Sequence, residues 1–111
     1  MPQSLAQIYL HIVYSTKHRK PFLKDEKILQ DAHAYLAETC NNLDCPALIV
    51  GGVEDHVHLL CRLGRKITVA DFIRDQKRAS SSSLKLKPRL GDFQWQSGKG
   101  HSPSAQRMSS R

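Results

Sequence analysis

The stretch Glu54-Asp55-His56-Val57-His58-Leu59-Leu60 sets two imidazoles two residues apart in a run that reads as a β-strand. Strand side chains alternate between faces, so His56 and His58 share one face while Val57, Leu59, Cys61 and Leu63 share the other. One face is suited to burial and the other to coordination. Two neutral imidazoles on a rigid strand can hold a divalent metal, but two ligands are too few for a tight site.

Working outward, Ala47 to Val53 reads as a preceding strand whose Gly51-Gly52 marks a bulge or bend. With Glu54-Asp55 as the turn, it predicts an antiparallel hairpin with the His-Val-His strand, His56 to Leu63. Upstream, Ile28, Leu29, Ala32, Leu36 and Cys40 recur at helical spacing from Lys24 to about Asn41, with Asp25 and Glu26 in the first turn. The chain opens on a strand, Leu5 to Ser15, with Ile8, Leu10, Ile12 and Tyr14 on one side and Tyr9, His11, Val13 and Ser15 on the other. A basic loop, Lys17-His18-Arg19-Lys20, follows and is closed by Pro21.

Downstream, Thr68 and Asp71 form a capping box that opens a second helix. That helix is expected to carry Val69, Phe72, Ile73 and Ala79 inward and Arg74, Lys77 and Arg78 outward. Ser80 to Ser83 weaken it and Pro88 lies beyond its end. A short strand at Phe93 to Trp95 closes the pattern. The order β-α-β-β-α-β predicts an α+β, ferredoxin-like sandwich with a four-stranded antiparallel sheet. Two helices would cover one face, leaving His56, His58 and, by parity, His11 on the open one.

At 111 residues the chain is one domain, and its formal charge of +7 is concentrated in clusters, which implies a polyanionic partner such as nucleic acid. Solvated surface charge is the alternative reading. The three cysteines, Cys40, Cys45 and Cys61, form no C-x-x-C pair. With no signal peptide and no membrane-length apolar run, the expectation is a cytoplasmic protein with reduced, buried thiols and no membrane partner.

In this setting the arrangement resembles the HUH single-tyrosine transposases of small insertion sequences, including the REP-associated tyrosine transposases. Ile8 to Arg19 is similar to that family's opening strand and basic loop, and Asp55 to Leu60 to its metal-binding strand. Val69 to Arg78 is similar to the helix before the final strand, and Phe93-Gln94-Trp95-Gln96-Ser97-Gly98 to the closing strand. The resemblance runs from about Ser4 to Gly100, so residues 1–100 are expected to form the transposase-like domain and 101–111 a disordered tail outside it.

The resemblance implies DNA transposition, a form of DNA recombination, on single-stranded hairpin DNA. His56 and His58 would hold Mg or Mn, and a tyrosine would attack the scissile phosphate, leaving a 5′-phosphotyrosine and a free 3′-hydroxyl. It also implies a homodimer. Lys17, His18, Arg19, Lys20, Arg74, Lys77 and Arg78 are the expected phosphate contacts. Trp95 is read either as a platform for an unpaired base or as core.

One part of the pattern is missing. The family's tyrosine lies on a helix after the last strand, with a glutamine ligand one turn on, whereas Tyr9, Tyr14 and Tyr35 all precede His56. None takes the nucleophile's place, and Gln106 has no such helix before it. The chain is therefore expected to hold metal weakly and to be inactive alone. A single-base loss after Lys99 or Gly100 is one origin: in one permissible coding with a G restored, the other frame reads Gly-Ala-Phe-Ser-Val-Ser, which resembles the family's run toward the tyrosine helix. Truncation and natural decay are the other origins. The rival functions are a non-catalytic nucleic-acid-binding remnant, able to inhibit an intact transposase, and an unrelated ferredoxin-like binder; no aromatic-rich strand supports the latter.

Overall fold

The computed structural model describes residues 7–96 and the backbone of 105–110. The expected strand start at Leu5, the domain boundary at residue 100, and tail residues 101–104 and 111 lie outside the described residues. The protein is α+β with an antiparallel sheet. Strands β1 (Gln7–Ser15), β2 (Ala47–Val53) and β3 (His56–Arg62) lie in the order β2-β3-β1. Helices α1 (Glu26–Asn42) and α2 (Val69–Leu84) cover one face.

Alternation decides what is buried. Leu10, Ile12 and Tyr14 of β1 and Val57, Leu59 and Cys61 of β3 are buried against Ala32, Leu36 and Cys40 of α1 and Phe72 and Leu84 of α2. The register pairs Val13 with His58 and Ser15 with His56, which leaves those residues together on the uncovered face. Between Ala47 and Ile49 the β2 register shifts, a bulge that turns Ile49 opposite Leu60 and Gly51 opposite His58.

Both helices start where their caps allow. The Asp25 carboxylate accepts hydrogen bonds from the Lys27 and Ile28 amides, and the Thr68 hydroxyl accepts from the Asp71 amide at 3.1 Å. The Asp71 side chain does not complete a capping box; it pairs with Arg74.

The buried stripe of α2 differs from expectation. Phe72, Gln76, Ser80 and Leu84 face the core, and Ala79 is exposed. Gln76 and Ser80 are tolerated there because they are fully bonded. Tyr14 donates to Gln76 Oε1, Gln76 Nε2 donates to the Leu36 carbonyl, Ser80 Oγ donates to the Gln76 carbonyl, and Trp95 Nε1 donates to Ser80 Oγ. This thread ties β1, both helices and the segment after α2 into one unit, and it lets α2 run through the serines.

Phe93 to Trp95 is not a strand of the sheet. It makes one isolated bridge, Thr16 to Trp95, and otherwise buries its aromatic rings. Phe93 packs edge-on against Phe22 and Trp95, and Trp95 lies 5.6 Å from Tyr14. Aromatic burial, not strand pairing, therefore fixes this segment. The outer edge of β1 is taken instead by β4 (Ala105–Ser110), antiparallel, with His11 opposite Gln106. Composition alone predicts a disordered tail for these residues. An edge strand presents a row of unpaired backbone groups, and a proline-free and glycine-free hexapeptide can satisfy them whatever its polarity.

Candidate functional site

The site is built on the open face of β1 and β3. The rings of His56 and His58 are 5.1 Å apart and nearly perpendicular, and His11 stacks on His58 at 5.6 Å with 21° between planes. Beside them a shallow pocket of about 250 Å³ is lined by His11, Ile49, His58 and Leu60. Gly51, opposite His58, faces open space: a Cβ there would meet nothing within 4 Å.

Asp55 orients His56. Its Oδ1 lies 2.8 Å from His56 Nδ1 and its Oδ2 accepts from Arg19 Nε at 3.2 Å. The His56 hydrogen bond, with Arg19 beside it, holds the Asp55 carboxyl below the usual carboxylate range. The carboxylate is thus ionised at neutral pH and can only accept, so Nδ1 donates in the shared bond, and in the neutral imidazole the lone pair is on Nε2. Because the folded pKa is lowered, this stabilising contact is present above the unfolded carboxyl's pKa and is lost as pH falls through the lowered one.

A carboxylate–histidine pair of this kind is a common support for a metal-binding imidazole. Among the described residues no three His, Cys, Asp or Glu side chains come together as a metal cage. Asp55 is already engaged, so His56 and His58 offer two nitrogens and no more.

The basic loop borders this pair. Thr16, fully buried, donates its hydroxyl to the Lys20 carbonyl at 2.6 Å, and its amide donates to the Asp55 carbonyl at 2.9 Å. Lys17, His18 and Arg19 form one turn of 3₁₀ helix in which His18 and Arg19 adopt left-handed φ of 58° and 56°. Gln96 Oε1 accepts from the His18 amide at 3.1 Å and helps hold that conformation. Lys17, His18, Arg19 and Lys20 are all exposed, although Arg19 pairs with Asp55 and Lys20 with Asp92. The roles of Thr16 and Gln96 are not local: they arise from contacts across 39 and 78 residues of chain.

The α2 cations are placed differently. They lie on the helical layer, behind the sheet face that bears the histidines. Arg74 is spanned by Asp71 and Asp75, each at 3.1 Å. Lys77 is not outward: it is half-buried, donates to the Gln96 carbonyl at 2.8 Å and lies over the Tyr14 ring, and burial pulls its pKa down. Arg78 is exposed, with no ion pair among the described residues. Trp95 is only 7% exposed and is a core residue, not a stacking platform.

Residues 4–105 match the family model described as IS200-like transposase. The chain belongs to the IS200-like transposase family. Its fold agrees with that of solved relatives. A candidate transposase from Deinococcus radiodurans R1 superposes with a TM-score of 0.75 at 19% identity, over 100% of this chain and 85% of that one. A REP-associated tyrosine transposase bound to a REP hairpin gives 0.57 at 13% identity, over 100% of this chain and 62% of the other, so the chain spans less than two thirds of that relative. No curated protein matches it.

None of the three tyrosines lies at the histidine pair. Tyr14 is fully buried, donates to Gln76, and has its phenol pKa pushed up by burial. Tyr35 is on α1, behind the sheet, under Lys87. Tyr9 shares the open face but pairs with Arg62, four residues along β3 from His58, which is about 14 Å at strand spacing. Among the described residues no helix is long and apolar enough to cross a membrane.

Proposed function

We propose that this IS200-like transposase domain binds single-stranded hairpin DNA and uses His56 and His58 to hold a divalent cation, Mg or Mn, against a phosphate of the strand. The observation that carries the reading is the Arg19–Asp55–His56 relay, which presents His56 Nε2 beside His58 on the open face. Such a cation keeps several water or phosphate ligands of its own, so a two-imidazole grip suits a metal completed by its substrate. When bound, it would polarise the phosphate.

The protein's own contribution is positioning. Lys17, His18, Arg19 and Lys20 take phosphates at the end of β1, and the ferredoxin-like arrangement leaves the histidine face open to the strand. Arg74 and Arg78 serve as more distant phosphate contacts, and Lys77 serves as a structural brace. Leu48, Ile49 and Val53 are exposed on edge strand β2, which suits a homodimer. No tyrosine of residues 1–111 is placed to attack, so transesterification would require one from elsewhere. By itself the chain acts as a binding partner, and as an inhibitor when it occupies the hairpin of an intact transposase.

The test is incubation with hairpin-bearing single-stranded DNA and Mn²⁺. Native gels are expected to show a complex that weakens with salt, and denaturing gels no covalent adduct. An adduct would refute the reading of the tyrosines, and absence of any complex would refute DNA binding. Replacing Asp55→Ala removes the partner of both His56 and Arg19. Mn²⁺ affinity, read by electron paramagnetic resonance, is expected to fall by roughly 10–100-fold, the usual cost of losing an outer-shell partner. Unchanged affinity would mean that Asp55 does not orient the ligand.

A further inference from the structure

A second groove, larger than the pocket beside the histidines, lies away from the histidine face. It measures about 910 Å³ and lies between the loop after the 3₁₀ turn, the first turns of α1, and residues 87–90. Its floor is apolar: Phe22, Ile28 and Leu90 line it, with Phe22 braced edge-on by Phe93 at 5.1 Å. Its rim is cationic. Five lysines and arginines line it against two carboxylates, and both carboxylates are already engaged. Asp25 caps α1, and Asp31 pairs with Lys87.

That leaves Lys24, Lys27 and Arg89 exposed on the rim, with no ion pair among the described residues. Arg89 holds a left-handed φ of 69° in a turn closed by the bond from the Leu90 amide to the Lys87 carbonyl at 3.1 Å. Such a conformation costs energy in a side chain other than glycine, so the turn is held by its surroundings. Apolar floor and unpaired cations together suit a ligand with flat faces and regularly spaced negative charges, which describes a single nucleic-acid strand.

We propose that this groove is a second contact for single-stranded nucleic acid, with phosphates on Lys24, Lys27 and Arg89 and unpaired bases over the half-buried Phe22. The proposal rests on the DNA-binding reading and extends it to residues outside the basic loop. The two regions are continuous. Lys20 lines the groove, its carbonyl accepts from Thr16, and the Leu23 amide donates to the Glu54 carbonyl at 3.0 Å, beside Asp55 and His56. A strand leaving the groove past Lys20 and Arg19 arrives at the histidine pair.

The test compares the whole protein with two triple variants, Lys24→Ala/Lys27→Ala/Arg89→Ala in the groove and Arg65→Ala/Lys66→Ala/Lys85→Ala outside it. All six residues are exposed, so both variants should fold. Binding of an unstructured oligonucleotide is followed by fluorescence anisotropy across a salt series. Losing three phosphate contacts from a single strand is expected to make the slope of log K against log salt shallower by about 2 in the groove variant only. An unchanged slope, or an equal change in both variants, would overturn the groove while leaving DNA binding elsewhere intact. Failure of the unmodified protein to bind any DNA would overturn this proposal and the reading it rests on. Labelled polyglutamate that binds as tightly as the oligonucleotide, and is lost in the groove variant, would make the groove a peptide site and overturn the assignment.

Discussion

The His56→Ala/His58→Ala protein is expected to lose Mn²⁺ binding while keeping its fold. Both imidazoles stand on the uncovered face of β3, and neither belongs to the buried cluster beneath it. Loss of the exposed His58 ring should cost little stability, and loss of the His56–Asp55 hydrogen bond somewhat more, without disturbing the core. Removing both nitrogens should cost more affinity than the roughly 10–100-fold that follows loss of an outer-shell partner, which places residual binding near the non-specific level. Titration of Mn²⁺ by electron paramagnetic resonance, with circular dichroism on the same samples, measures both quantities. Metal binding that survives in a folded double variant would show that the cation sits elsewhere. DNA binding should persist at reduced strength, since the basic loop and its Thr16 anchor are intact.

Gly52→Ala is expected to be the most damaging conservative change near the site. A Cβ at residue 52 would fall 2.4 Å from the His56 carbonyl oxygen and 2.6 Å from Val57 Cα, both backbone atoms that cannot swing away. The φ of 156° adds strain for any side chain. Strain alone costs about 1–3 kcal/mol, and the clash requires the β2–β3 turn to move. That turn carries Asp55, so the variant should lose stability and disturb His56 together. Denaturant unfolding and the His56 ring resonances report the two effects. Gly51→Ala is the matched control: its Cβ would meet nothing, so stability should scarcely change. If the two variants behave alike, the close approach at Gly52 is not what shapes the turn.

Much of this was legible along the chain because it is written in period. The alternation in Ile8 to Tyr14 and in Val57 to Cys61 settles which strand faces are buried, and the 3.6-residue stripe of Ile28 to Cys40 settles α1. Asp25 and Thr68 mark the helix starts through local hydrogen bonds that need no distant partner. The same parity placed His11 beside His58.

Other features depend on partners far away in sequence. Lys77 reads as an outward cation until the Gln96 carbonyl and Tyr14 ring fold over it, and Gln76 reads as surface until Tyr14 and the Leu36 carbonyl satisfy its amide. Phe93 to Trp95 has strand composition, but the rings of Phe22 and Tyr14 offer burial that a sheet edge would not. Residues 105–110 look like tail because pairing to an edge strand is a backbone property with little composition signal.

His56-Val57-His58 shows the division most clearly. That two imidazoles share one face of a strand follows from the order of residues alone, because side-chain alternation is a property of the local backbone. That Asp55 and Arg19 orient one of them, that His11 stacks on the other, and that no tyrosine stands at the pair emerges only from the folded chain, because those relations depend on which segments pack against each other.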